Sequence, residues 1–457
     1  MRLRSLSLCL LLALAAISSP AARAQQKPLT RDEVQSLVRS GHDDESGAKL
    51  IELQGIDFLP GDEFLQDLKA AGAREAFLQL LRTTKPRAAA SVNKPVTEVR
   101  VFTLLAARAP SHSLAMLVEE RGIDFESGDG YLQQVRLLGG DDELINALKS
   151  AKVMKPATSD SGVEARQADV GEHVARGAEL LRKGQYAGAE QQYRAALLLD
   201  PQDGDLYVGL ARSLGGQEKW DDAAVAARQA LGLDANNDLA HVDLGLALGH
   251  KGQWEDEIAE AREALRLNPN LAEAHANLGL ALAHQGDVDG ALAEHREALR
   301  LNPQSELAHY NLGLALGEKG DRDGEIAEYR EALRLSPNLA AAHYSLGGAL
   351  GEKGDRDAEI AEYREALRLN PKYEEAHVNL GLALGEKGDQ DGEIAEYRAA
   401  LRLNPNDDMA HNNLAVALEQ KGDLRGALEQ YQAAYALDPR NSNYKQDYER
   451  LRQKVNP

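Results

Sequence analysis

Seven prolines, Pro201, Pro269, Pro303, Pro337, Pro371, Pro405 and Pro439, fall on one 34-residue grid whose single vacant point is Ala235. A fixed period of this length demands a repeat architecture, because each unit can bury its apolar face only against its neighbours. Counting back from the prolines gives eight units over residues 170–441. Within them Gly177, Gly245, Gly279, Gly313, Gly347 and Gly381 form one column, with Ala211 and Ala415 in its gaps. Ala196, Ala230, Ala264, Ala298, Ala332, Ala366, Ala400 and Ala434 form another. Small residues at fixed places in two apolar helices mean close helix-helix approach, and Gly184, Gly252 and Gly286 mark the turn between them. Each unit therefore reads as a helical hairpin. Past Asn441, the residues Tyr444, Tyr448, Leu451 and Val455 share one face of a last helix, with Lys445, Arg450 and Lys454 elsewhere. That predicts a capping helix over 442–457, which an open-ended stack requires.

In one unit Leu312, Gly313, Leu316, Gly320, Tyr329, Ala332 and Pro337 resemble the signature of tetratricopeptide repeats. The resemblance implies an all-α fold, a right-handed superhelix of helical hairpins whose first helices line a concave groove for a partner. The family's first aromatic is replaced here by His173, His241, His275, His309, His343, His377 and His411, with Tyr207 in the second unit. Because that aromatic packs between the two helices, the resemblance implies partly buried, neutral imidazoles beside Tyr329, Tyr363, Tyr397 and Tyr431. Stability should then fall as acid charges them below about pH 6. One histidine per hairpin is spread along the stack, so a shared metal site fails on geometry. A second departure lies on the second helix. Family alanines stand at Ala189, Ala223, Ala291 and Ala427, but Glu257, Glu325, Glu359 and Glu393 replace them where the first helix has Gly249, Gly317, Gly351 and Gly385. The glycine is expected to make room for the glutamate stem and leave a solvated carboxylate at the hairpin edge.

Upstream, a weaker period appears twice. The run Ile51 to Phe58, with Gly55-Ile56-Asp57-Phe58 at its end, returns as Val118 to Phe125 with Gly122-Ile123-Asp124-Phe125. Gly55 and Gly122 read as helix stops, each followed by a buried Ile and Phe, and Thr30 with Glu33 reads as a capping box. These copies predict two small helical modules over 25–82 and 96–151, with linkers at 83–95 and 152–169. At the front, Arg2 and Arg4 precede an apolar stretch from Leu6 to Ile17 and a small-residue tail ending in Ala22-Arg23-Ala24. This is the layout of a secretory signal peptide over 1–24, cleaved after Ala24, and its apolar run of about twelve residues is short of the roughly twenty that cross a bilayer. A bacterial periplasmic or secreted protein is expected, with no integral membrane segment after cleavage. The only cysteine is Cys9, so the mature chain has no disulfide and no cysteine-ligated metal.

With 52 Lys+Arg against 73 Asp+Glu the net charge is -21, which argues against nucleic acid. No nucleophile elbow, phosphate-binding loop or zinc-protease motif occurs. Neither catalysis nor a cofactor is expected. Partner binding is placed in the groove: Asn277, Asn311, Asn379 and Asn413, with Asp243 and Ser345 in the same row, are able to hold a peptide main chain. Tyr310 and Tyr344, then Leu280, Leu314 and Leu382, form an apolar strip beside it with Val242, Val378, Leu246 and Val416. Glu318, Glu352 and Glu386 alternating with Lys319, Lys353 and Lys387 suggest a mixed rim, unsuited to a purely basic ligand. The reading is a protein-protein interaction scaffold or adaptor holding an extended or helical segment. Its rivals are a periplasmic chaperone or outer-membrane assembly factor, and a hydrolase using His42, His112, Asp57 or Asp124 of the modules.

Overall fold

A computed structural model describes residues 62–83, 94–154 and 161–455, together with 34, 35, 37, 38, 47–49 and 51. The signal segment, Thr30 with Glu33, the first Gly-Ile-Asp-Phe element and His42 lie outside the described residues. The chain forms two compact units, Met1–Ala281 and Leu282–Pro457.

The first helices of unit one described from end to end are α1 (Asp62–Ala70) and α2 (Glu75–Thr83). Leu65, Leu68, Phe77, Leu78 and Leu81 share a small core with Val34, Leu37, Val38 and Ile51. The second module comprises α3 (Glu98–Ala106), α4 (Ser111–Arg121), α5 (Asp129–Leu137) and α6 (Asp142–Ser150). Gly122 ends α4 at φ 71, a left-handed conformation that costs glycine least. Ile123 behind it is fully buried and forms single parallel bridges to Val96 and to Val153. Lys94 to Val96 and Lys152 to Met154 therefore belong to the module, although they fall at the edges of the stretches read as linkers. The physical reason is that this extended stretch is paired along both edges: the Ile123 N–H donates to the Lys152 carbonyl and its carbonyl accepts from Met154, while the Val96 N–H donates to the Gly122 carbonyl and the Val96 carbonyl accepts from Asp124.

The hairpins follow as α7 (Ser161–Arg182) with α8 (Tyr186–Leu199), α9 (Gly204–Gly215) with α10 (Trp220–Leu233), and α11 (Asp238–Gly249) with α12 (Trp254–Leu267). Helix α7 begins nine residues ahead of the grid, inside the second expected linker. The chain continues through α13 (Ala272–His284) and α14 (Val288–Leu301). Unit two holds α15 (Glu306–Lys319) with α16 (Arg322–Leu335) and α17 (Ala340–Glu352) with α18 (Arg356–Leu369). Then come α19 (Glu374–Glu386) with α20 (Gln390–Leu403), α21 (Asp408–Lys421) with α22 (Leu424–Leu437), and a last helix α23 (Ser442–Val455).

The hairpins of unit two share local reasons for closing, whereas the second helices of the first three hairpins have no side-chain cap. Asp321, Asp355, Asp389 and Asp423 accept the backbone N–H three residues on and so cap the second helix. The alanine column is buried throughout, which sets the two axes close together. Tyr329, Tyr363 and Tyr397 lie flat against Gly313, Gly347 and Gly381, where a methyl group would come within 2.6 to 2.8 Å of ring carbon. In the last helix Leu451 is fully buried and Tyr444 nearly so, while Lys445, Arg450 and Lys454 are exposed.

Candidate functional site

What a stack of hairpins can hold is decided by which helix faces stay uncovered. In unit two the large apolar residues exposed on first helices are Leu307 (58%), Leu314 (38%), Leu382 (44%), Met409 (61%) and Val416 (36%). Leu307 and Leu314, like Met409 and Val416, are two helical turns apart and lie on one face. Leu307 and Met409 add to the strip read from sequence; the spacing Leu307, Tyr310, Leu314 is the signal that finds them. Tyr310, Tyr344, Asn311, Asn379 and Asn413 are half-buried on the same helices, and Asn277 and Leu280 are half-buried in unit one.

In unit one the corresponding face is covered. Val174, Ala178, Val208 and Val242 are buried in one core with Val99 and Phe102, and α3 packs against α7 and α9. Val242 therefore leaves the exposed strip, and so does Val378 in unit two, which is buried in a core with Ile394 and Tyr397. Its neighbour Asp243 is buried against the Arg212 guanidinium, both oxygens at 3.1 Å, so this position carries an internal ion pair in place of an amide.

The asparagine row is partly used internally. Asn379 donates to the Tyr344 hydroxyl at 3.0 Å, and Ser345 lies 3.4 Å from the Tyr310 hydroxyl, so these two polar groups of the row tie their repeats to the preceding ones. Tyr344 also packs on Tyr373, ring centres 4.7 Å apart. The Asn277 amide nitrogen is buried without a partner.

The mixed rim does not hold. Lys319, Lys353, Lys387 and Lys421 each turn onto an aspartate of the preceding second helix, Asp289, Asp323, Asp357 and Asp391. Thirty residues separate each pair, close to one repeat, which is why sequence neighbours such as Glu318 do not capture them. Arg322 and Arg356 likewise reach Glu352 and Glu386. Glu318 has Val288 where those arginines stand one and two repeats later.

The histidine column is also corrected. Nδ1 faces a glutamate at 2.5 to 2.6 Å in His241, His309, His343 and His377, and a glutamine at 2.9 and 2.7 Å in His173 and His411. Nε2 meets the carbonyl of the grid residue six positions earlier, Ala235 for His241 and Pro303 for His309, at 3.1 and 3.4 Å. At His241 and His309 two acceptors around the ring favour the doubly protonated form. The Glu328 hydrogen bond raises the pKa of His309; burial opposes the charge on His241, but Glu260 and the Ala235 carbonyl outweigh it. A buried neutral imidazole exists elsewhere. His295 is 1% exposed, its Nδ1 has no partner, and burial pulls its pKa down to about 4.

The glycine-glutamate exchange works as expected in space and not in solvation. A methyl group at Gly351 would sit 2.5 Å from the Glu359 carboxyl, so the stem occupies the vacated volume. All four glutamates are buried. Arg322 and Arg356 bind Glu325 and Glu359. Glu257 has Trp254 in that place; one oxygen is unpartnered and burial pushes the acid up to about 8.

Between the second module and the second and third hairpins lies a cavity of about 210 Å³, lined among others by Lys94, Arg100, Arg121, Asp203, Asp205 and Asp238. Arg100 is 9% exposed and sits between Asp205, at 3.9 Å, and Asp238. Thr97 donates to Asp205 at 3.0 Å and Lys94 pairs with Asp234 at 2.6 Å. Burial pushes Glu98 and Asp203 to about 7 and Asp124 to about 6, so this seam holds protons near neutrality. Of the hydrolase candidates, Asp124 belongs to the seam, His112 makes an exposed pair with Glu143, and His42 and Asp57 are outside the described residues. Among the described residues no His, Asp and Glu cluster could hold a metal ion, and no helix is long and apolar enough to cross a membrane.

These features define a class: an all-α repeat protein of stacked helical hairpins. Family models described as tetratricopeptide repeat match residues 208–272 and 379–442, and 307–339, and one described as TPR repeat matches 281–320 and 352–388. The chain carries tetratricopeptide repeats over these residues. Among solved structures, the APC/C hetero-tetramer Cut9-Hcn1 is similar with a TM-score of 0.54 at 15% identity, over 92% of this chain and 82% of that one, a likeness of fold alone. YrrB, a TPR protein with an unusual peptide-binding site, is 22% identical over 41% of this chain and 96% of its own, with a TM-score of 0.37. PilF of Pseudomonas aeruginosa is 20% identical over 45% and 93%, with a TM-score of 0.41. No curated protein matches significantly.

Proposed function

We propose that this protein is an exported scaffold or adaptor that holds a segment of a partner protein on the first-helix face of unit two and makes or breaks no bond there. One observation carries the reading: Leu307, Leu314, Leu382, Met409 and Val416 stay exposed on the same helices whose counterparts in unit one are covered. Five large apolar side chains grouped on a repeat face lose free energy to water that only a partner returns, at roughly 25 cal/mol for each Å² removed. Arg2, Arg4 and the apolar run to Ile17 support export.

The test is a pull-down from periplasmic extract with the tagged chain, its N-terminus sequenced to find Gln25. Wild type should retain one stoichiometric partner, lost in Leu314→Asp and weakened in Asn311→Ala. A crowd of unfolded clients would favour the chaperone reading. Retention of the partner by Leu314→Asp would end the proposal.

A further inference from the structure

Resting on that reading, we infer that the segment held by unit two is a basic amphipathic helix. The first observation is charge. The lysines at the ends of first helices, Lys319, Lys353, Lys387 and Lys421, are all engaged by aspartates of the preceding second helices. Arg322 and Arg356 are engaged by Glu325 and Glu359 as well as by Glu352 and Glu386. Glu318 and Glu375 remain, exposed on the first helices with no ion pair among the described residues. The face therefore offers apolar anchors with carboxylates whose counter-charge no neighbour supplies, and such a surface selects a cationic partner.

The second observation comes from unit one, where the same face already has an occupant. Helix α3 lies against the first helices α7 and α9, burying Val99 and Phe102. Its Arg100 reaches Asp238, the first residue of the third repeat's first helix. That first position is acidic again at Glu374 and Asp408, and Glu374 accepts from Asn404 as Asp238 accepts from Asn268. What the fold does with this face when it closes it is thus visible: a helix with apolar side chains and a guanidinium. An extended strand would instead call on the amide row, and Asn379 and Ser345 are already turned to Tyr344 and Tyr310.

Three labelled peptides of about 18 residues decide it, by fluorescence anisotropy on the full chain: a Leu-Lys helix with apolar positions three and four apart, its Leu-Glu twin, and a Leu-Lys peptide of strict alternation. The helical basic peptide should bind at least about tenfold tighter than either control. Leu314→Asp and Leu382→Asp, both at exposed positions and checked for unchanged melting, should weaken it about tenfold or more, and Glu375→Lys should weaken it less. The aspartate variants separate seating from attraction, because added negative charge would strengthen mere electrostatic adhesion of a cationic peptide. Equal binding of the acidic twin, or tighter binding of the alternating peptide, with loss in Leu314→Asp, overturns this inference and leaves the face as a docking site. Binding untouched by Leu314→Asp, or no binding of any peptide, overturns both.

Discussion

Two kinds of histidine stand in this array, and they respond to acid in opposite senses. His295 has a folded-state pKa of about 4 against an ordinary 6.5, so the unfolded chain takes up the proton first. Its contribution to stability is present above about 6.5 and lost as pH falls toward 4. His309 and His241 are raised, so their contribution is present below the ordinary value and is lost as pH rises through the folded one. His295→Tyr, which installs the residue found at Tyr329, Tyr363 and Tyr397, should therefore stabilise most at acid pH, by up to about 3 kcal/mol near pH 4. His309→Gln should cost more at pH 6 than at pH 8. Thermal melts by circular dichroism at pH 4.5, 6 and 8 check both variants, and shifts that do not change with pH would refute the assignment. The column was legible in sequence as a register, and the protonation state was not. Which acceptors a ring meets depends on Glu260, Glu328, Glu362 and Glu396 nineteen residues away and on backbone carbonyls, neither of which composition reveals. His295 sits in the tyrosine column and was hidden because a histidine among eleven others draws no notice.

At the scale of the element, the hairpin is the unit the period makes plain. Glycine opposite tyrosine is a volume exchange readable from two aligned columns. The prediction is correspondingly sharp: Gly313→Ala puts a methyl group 2.6 Å from the Tyr329 ring, which is buried and cannot swing clear, so the ring or the helix must shift. Overpacking of this kind costs about 1–3 kcal/mol. Urea melts of the variant should show that loss, and an unchanged midpoint would mean the helices separate more freely than their alanine contacts allow. The glutamate exchange was half legible. Gly317 and Gly351 announce the room that Glu325 and Glu359 occupy, but whether the carboxyl ends in water or under Arg322 and Arg356 is decided by a residue one turn earlier on the same helix. The lysine ladder was misread for a related reason. Adjacent Glu318 and Lys319 look like a mixed rim along the chain, while in space Lys319 belongs to Asp289.

For the whole molecule, the repeat count was legible because a 34-residue grid is a global signal carried by every unit, whereas the docking of the second module was not, because it joins residues 100 and more positions apart that share no pattern. Arg100 is separated from Asp205 and Asp238 by the entire first repeat, and only the fold makes one ion cluster of them. That cluster helps to explain why the first two hairpins bury their first-helix face: the chain itself is the occupant there. Removing the cation tests this directly. Arg100→Ala leaves Asp205 and Asp238 buried with Asn237, Asn268 and Thr97 as their remaining side-chain partners, a loss of about 3–5 kcal/mol where two carboxylates lose a buried counter-ion. Hydrogen exchange should accelerate in α3 and at the start of α9 and α11 while unit two is unchanged. Lys149→Ala, an exposed change on α6, should alter neither. If Arg100→Ala exchanges like wild type, the module is held by its apolar contacts alone, and the arginine is no guide to what the open face recognises.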